Sequence, residues 1–196
     1  MANADEKIFL WINGLADNFT PVDRFMQWAV SDYLIPVSMA LALVGLWFIG
    51  NDKLTRQGHQ IGVFIALTSM GLSNLSVLII NQFYFRPRPF DPLANLDVTL
   101  LFYPPTDSSF PSNAVAAAFG IAFSVWGVNH RIGTGFIIGA VLYSFARIYA
   151  GVHYPLDVIG GAFIALVITF LVFRLRDLLQ PLPNWVIKAA RILCLA

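Results

Sequence analysis

Five apolar runs, each close to the length of a bilayer crossing, govern what this 196-residue chain can fold into. They lie at about 33–50, 60–83, 112–128, 132–150 and 155–173. A helix needs roughly 20 residues to cross about 30 Å of hydrocarbon. In that solvent every backbone N–H and C=O must be satisfied within the fold, as it is in a helix. The sequence therefore predicts an all-α, polytopic membrane helix bundle with about five transmembrane helices. Small residues inside the runs (Ser69, Gly71, Ser73 and Ser76; Ala116 to Ala118; Gly160 and Gly161) suit close helix packing.

Composition agrees. The chain is 58% hydrophobic and 12% charged, against about 45–50% and about 25% in soluble domains, and its mean hydropathy is +0.70. A net charge of +1 makes no case for a nucleic-acid partner. Cys194 is the one cysteine, which excludes a disulfide framework and a thiolate metal site. The opening "MANADEKIF" is acidic and is not expected to be a cleavable signal peptide.

The expected organisation is a single membrane-embedded domain, 1–196, with three features outside the spans. Residues 1–32 form an N-terminal interfacial segment, because Ile8, Trp11, Ile12, Leu15 and Phe19 recur at helical spacing among Asp5, Glu6, Asn13 and Asp17. Thr20-Pro21, followed by Asp23, predicts a second helix start with Thr20 as cap. Residues 84–111 form one long loop, and 181–196 a basic amphipathic helix after Pro181 and Pro183. In a serpentine chain the long loop and "GVHYP" share one membrane face. The opposite face receives Lys53, Arg56, Arg131, Arg174, Arg176, Lys188 and Arg191. By the positive-inside tendency the long loop points away from the cytoplasm.

Three clusters meet on that outer face. "FRPRPF" (85–90) presents Arg86 and Arg88, with Pro87 and Pro89 holding the backbone extended. Paired guanidinium groups suit phosphate oxygens, although arginines at this depth also snorkel to lipid headgroups. "SFPSN" (109–113) brings Ser112 and Asn113 to a helix start, where free N–H groups favour an anion and where Ser112 could equally be a plain N-cap. "ARIYAGVHYPLD" (146–157) supplies Arg147, His153 and Asp157. The four-residue spacing lets Asp157 orient the imidazole, leaving its other nitrogen as a nucleophile. The plainer alternative is an interfacial histidine beside a helix-capping aspartate. Taken together the clusters suit phosphoryl transfer, which relies on positioning and cationic donors. No metal and no cofactor is expected.

These three segments resemble the type-2 phosphatidic acid phosphatase superfamily, the membrane relatives of vanadium haloperoxidases, whose motifs are K-x6-R-P, P-S-x-H and S-R-x5-H-x3-D. The corresponding stretches here are "NQFYFRPRP" (81–89), "PSNA" (111–114) and "ARIYAGVHYPLD" (146–157). The resemblance implies that His153 is the nucleophile, that Asp157 orients it, and that Arg88, Arg147 and Ser112 bind phosphate. It implies a lipid phosphate substrate, since family members act on polyprenyl diphosphates, phosphatidic acid or phosphatidylglycerol phosphate, and a site facing outside the bacterial cytoplasmic membrane. The motif lysine is replaced by Asn81, the motif histidine by Ala114 and the leading serine by Ala146. The missing histidine normally protonates the leaving group. Asp107 is the candidate substitute acid, whereas topology puts His59 and His130 on the other face. Two readings follow: a slow phosphatase that prefers prenyl diphosphates, or a pseudophosphatase that binds lipid phosphate or serves as a subunit of a membrane complex. No charged path crosses the bilayer, which disfavours a channel or transporter.

Overall fold

The computed structural model describes residues 4–175, and among these helices are the only regular secondary structure, with no strand. Seven α-helices follow one another: α1 (Ala4–Asn13), α2 (Thr20–Val30), α3 (Leu34–Phe48), α4 (Lys53–Phe83), α5 (Asn113–Val128), α6 (His130–Tyr149) and α7 (Pro155–Arg174). One 3-10 turn, Pro92–Ala94, interrupts the long loop. The helix starts carry recognisable local chemistry. The carboxylate of Asp52 accepts from the Leu54 and Thr55 N–H groups ahead of α4, and the Asn129 side chain accepts from Arg131 and Ile132 ahead of α6. Each satisfies donors that a helix start leaves free.

The expected all-helical membrane bundle is what the chain forms, but the five apolar runs are not alike. Helices α4, α6 and α7 are long and apolar enough to cross a bilayer. Helices α2 and α3 meet the same test only as a pair, bent by 49° where they join. Helix α5 has 16 residues, about 24 Å at 1.5 Å per residue. It compensates by its position, enclosed by α4, α6 and α7. Ala116, Gly120, Ala122 and Ser124 on α5 are buried, and a Cβ on Gly120 would lie 3.2 Å from the backbone of Met70 on α4. Leu41, Ile138, Val141 and Phe163 project outward from the bundle.

The N-terminal segment differs from its expected amphipathic pattern. Phe9, Ile12, Asn13 and Asp5 of α1 are buried, whereas Ile8 and Trp11 are exposed. Two polar residues thus face inward, where their partners on α6, α7 and the long loop lie. Thr20 does not cap α2. It is the first helical residue, preceded by Phe19, and no side chain caps that end. Residues 181–196, expected to form an amphipathic helix, lie outside the described residues.

Two glycines decide how closely the chain can pack around the long loop. Gly151, after α6, has φ +82, and a Cβ there would meet Val98 at 2.8 Å and the Thr99 carbonyl oxygen at 2.9 Å. Gly161 lies where α7 passes the start of α5. A Cβ there would sit 2.5 Å from the Ser112 carbonyl oxygen and 3.2 Å from the Ala116 nitrogen. These two atoms make the first backbone bond of α5. Gly161→Ala is expected to push the helices apart and to lower stability by about 1–3 kcal/mol, the usual scale of overpacking. Thermal unfolding in detergent reads this directly; an unchanged midpoint would mean that α5 and α7 can slide apart freely.

Candidate active site

Four chain segments converge at one end of the bundle: the long loop after α4, the start of α5, the turn after α6 and the start of α7. Basic residues Lys53, Arg56, Arg131 and Arg174 belong to the other end, where α4 and α6 start and α7 stops. His59 and His130 also sit there, bonded to the carbonyls of Ile49 and Trp126.

The proline-flanked Arg88 is 4% exposed, with the neighbouring Pro89 fully buried. Its Nε donates to the Asp107 carbonyl at 3.0 Å and its Nη2 to the Asp107 carboxylate at 2.7 Å. The remaining Nη1 donates to the Val152 carbonyl at 3.1 Å and lies 3.2 Å from Nε2 of His153. Ser112 occupies the position just before α5, yet its hydroxyl makes no capping bond. Instead Oγ lies 3.1 Å from Nε2 of His153. The plain N-cap alternative for Ser112 therefore does not describe its side chain.

The other imidazole nitrogen defines the tautomer. Nδ1 of His153 lies 3.0 Å from the Ser109 carbonyl oxygen. A carbonyl can only accept, so Nδ1 carries the hydrogen and Nε2 offers its lone pair toward Arg88 and Ser112. Asp157 is 3.7 Å from Nδ1 through Oδ2, farther than the Ser109 carbonyl. The expectation that Asp157 orients the ring is thus refined: a backbone carbonyl holds Nδ1–H, and the carboxylate lies behind it. Asp157 is fully buried. Its Oδ2 accepts from the Ser109 hydroxyl at 2.5 Å and from the Tyr154 N–H at 2.8 Å, and its Oδ1 from Nη1 of Arg86 at 2.7 Å. Burial pushes the His153 imidazole down to about 4; the positive charges of Arg147 and Arg88 act the same way and Asp157 opposes them. The ring is accordingly neutral across the physiological range.

Two predicted arginines take places the sequence did not specify. Arg86 turns behind the histidine, with its outer nitrogens paired 2.7 Å from Asp157 and 2.7 Å from Asp5. Arg147 is buried at the end of α6. Its Nη1 donates to the Tyr143 hydroxyl at 2.7 Å and lies 3.4 Å from Asp32, while its Nε has no partner. Asp32 sits between α2 and α3 and also accepts from the hydroxyls of Tyr103 at 2.7 Å and Tyr143 at 3.0 Å. Asn81 in the last turn of α4 and Asn113 at the start of α5 each keep a buried Oδ1 without a partner. Ala114 packs against the main core and brings no titratable group to the start of α5. Asp107 is engaged as the ion-pair partner of Arg88. Among the described residues, no three His, Cys, Asp or Glu side chains come together in a way that could hold a metal.

Sequence reasoning missed Asp5, Ser109 and Asp32. Ser109 lay inside a recognised cluster, but a role for its carbonyl has no signature in side-chain identity. Asp5 is separated from Arg86 by 81 positions and Asp32 from Arg147 by 115, beyond any local pattern.

Known proteins similar to this chain point to one family. The family model of the PAP2 superfamily matches residues 62–180, which include all three motif segments. The undecaprenyl-diphosphatase BcrC of Bacillus subtilis is 34% identical over 183 residues, covering 93% of this chain and 89% of that protein. The crystal structure of Aquifex aeolicus LpxE superposes with a TM-score of 0.71 at 29% identity, over 88% of this chain and 96% of the other. A transmembrane PAP2-type phosphatidylglycerolphosphate phosphatase from Bacillus subtilis, 21% identical, shares the fold with a TM-score of 0.63 over 90% of this chain and 88% of the other. With its arginine, serine and histidine motifs folded into one buried cluster at the end of a membrane bundle, the chain belongs to the PAP2 superfamily and is an integral membrane protein.

Proposed function

We propose that this protein is a membrane lipid phosphatase that removes the terminal phosphate of a prenyl diphosphate, of which undecaprenyl diphosphate is the type. The observation that carries this reading is the unprotonated Nε2 of His153. It faces Ser112 and Arg88 while its ring is locked from behind by the Ser109 carbonyl. Nε2 attacks the terminal phosphorus and forms an N–P bond. The bridging P–O bond breaks, and the prenyl monophosphate leaves with the electron pair. Water then attacks the phosphohistidine, releasing orthophosphate and restoring the lone pair on Nε2.

Arg88 and Arg147 answer the charge that spreads over the equatorial oxygens, helped by Ser112 and the free N–H groups of the first turn of α5. Asn113, the first residue of α5, has a buried Oδ1 without a partner and adds a further polar contact. The step as written uses protein groups alone and draws on no metal or cofactor. The name of the Bacillus subtilis relative supports the substrate class. So does the alanine at 114, because a phosphate monoester leaves with less need of a proton than an alkoxide does. The concentration of basic residues at the far end supports a site on the non-cytoplasmic side.

A second reading, a pseudophosphatase that retains lipid phosphate or joins a membrane complex without turnover, rests on Asn81 and Ala114. The complete hydrogen-bonded setting of His153 favours turnover. Phosphate release by the purified protein from undecaprenyl diphosphate and from phosphatidic acid tests the proposed substrate. The diphosphate is expected to react at least about tenfold faster, since the absent general acid matters more to the alkoxide. A faster reaction with phosphatidic acid would refute the preference.

A further inference from the structure

Helix α1 is tied to the site by three side chains, and each grips the chain around His153. Asn13 donates from Nδ2 to the carbonyls of Thr99 at 2.8 Å and Tyr149 at 2.9 Å, and its Oδ1 accepts from the Thr99 N–H at 2.9 Å. Phe9, fully buried, meets the ring of Tyr154 edge-on with centroids 5.3 Å apart. Asp5 is 7% exposed. Its Oδ2 accepts from Nη2 of Arg86 at 2.7 Å and its Oδ1 from the Leu156 N–H at 2.9 Å. Leu156 immediately precedes Asp157, and Arg86 holds the other oxygen of Asp157 at 2.7 Å. One carboxylate on α1 therefore touches Asp157 from two sides, through its backbone neighbour and through its cationic partner.

Electrostatics gives the arrangement a direction. Arg86 lies over the Tyr154 ring at 4.0 Å, removed from bulk water on that side. A cation in such a place needs carboxylate partners in good geometry, and two flank it here. Without Asp5, Arg86 is free to swing, and Asp157 loses the partner that fixes Oδ1. The Ser109 hydroxyl donates to Oδ2 of the same carboxylate, and the Ser109 carbonyl in turn holds Nδ1–H of His153, with Oδ2 behind it at 3.7 Å. We propose that Asp5 is a positioning residue for the reacting imidazole, acting through Arg86 and Asp157, so that α1 is a working part of the site rather than a membrane anchor. The inference rests on the assignment of His153 as the reacting group.

Two measurements separate this from a purely structural role. First, Asp5→Asn is expected to lower kcat on undecaprenyl diphosphate about tenfold with KM within about twofold, because misplacement of a reacting group acts on the chemical step. In an Arg86→Gln background the same change is expected to cost clearly less than tenfold, since only the contact to the Leu156 N–H is left to lose. Second, in protein labelled with 15N-histidine, the proton on Nδ1 of His153 gives a resonance identified by its loss in His153→Gln. Asp5→Asn is expected to move or broaden that resonance while those of His59 and His130 stay in place, and Asp5→Glu to leave it closer to the wild-type position. An unmoved resonance in Asp5→Asn overturns the proposal, even where the melting temperature drops, because Asp5 would then be only a cap for α7. Tenfold losses that simply add in the double variant overturn it as well. A resonance that moves in a protein with no turnover keeps the Asp5 link and ends the phosphatase reading instead.

Discussion

His153→Ala is expected to slow phosphate release from undecaprenyl diphosphate by about 10⁴-fold or more, the scale on which loss of a nucleophile acts and equivalent to about 5.5 kcal/mol of barrier. No other histidine can take over, because the other two lie at the opposite end of the bundle. His153→Gln preserves more of the buried volume and is expected to be equally inactive, which separates chemistry from misfolding. Rapid quenching with labelled substrate should trap an acid-labile phosphoprotein in the wild type and none in either variant. A His153→Gln protein working within tenfold of wild type would remove this residue from the reaction. The pH profile carries the same assignment. Nε2 attacks only when the ring is neutral, and burial lowers its protonation to about 4 from the ordinary 6.5. The acid limb of kcat/KM due to this group is therefore expected near pH 4. Stability follows with a definite sign. Below pH 6.5 the unfolded chain binds a proton at this histidine that the folded chain refuses until about pH 4. The contribution of the neutral ring, present above pH 6.5, is thus lost as pH falls through that window.

Restoring the two departed motif residues, Asn81→Lys with Ala114→His, is expected to raise kcat by about 10²–10⁴-fold on phosphatidic acid, the contribution of a placed general acid. The gain on undecaprenyl diphosphate should be smaller, because its leaving group needs the proton less. This difference between substrates is the diagnostic feature, since improved phosphate binding alone would raise both alike. Position 114 is in the first turn of α5, two residues beyond Ser112, whose hydroxyl lies 3.1 Å from the reacting nitrogen. Position 81 lies in the last turn of α4, where Asn81 keeps an Oδ1 that has no partner. Assays of the two single variants show which change carries the effect. A silent wild type awakened by the double change would identify the natural protein as a pseudophosphatase. No gain on either substrate would place residues 81 and 114 away from the transferring phosphoryl group.

The legible part of the site consists of residues whose surroundings are local. Arg86 and Arg88 could be noted together because each precedes a proline that restricts its backbone. His153 and Asp157 could be paired because four residues separate them across a helix start. Ser112 was recognised from its place before a helix, although its hydroxyl turns to the imidazole instead of the helix end. Arg86 shows where such reasoning stops. Its spacing matches Arg88, yet it faces two carboxylates, and nothing in "FRPRPF" distinguishes the two guanidinium groups. The same holds for α1, whose apolar spacing suggested one face while burial selected Phe9, Ile12, Asp5 and Asn13.

What the amino-acid sequence determined by itself was the class of solvent and the local order of chemistry. Long apolar runs admit only self-satisfied helices in hydrocarbon, and three short motifs place cations, a serine and a histidine at helix ends on one face. Only the tertiary structure decided which charge meets which. Asp5 with Arg86, Asp32 with Arg147, and the Ser109 carbonyl with His153 join residues 81, 115 and 44 positions apart. Hydrophobic periodicity acts over a few turns of one helix. An ion pair or hydrogen bond in a buried site is instead fixed by where separate helices come to lie, as when Gly161 lets α7 approach the start of α5.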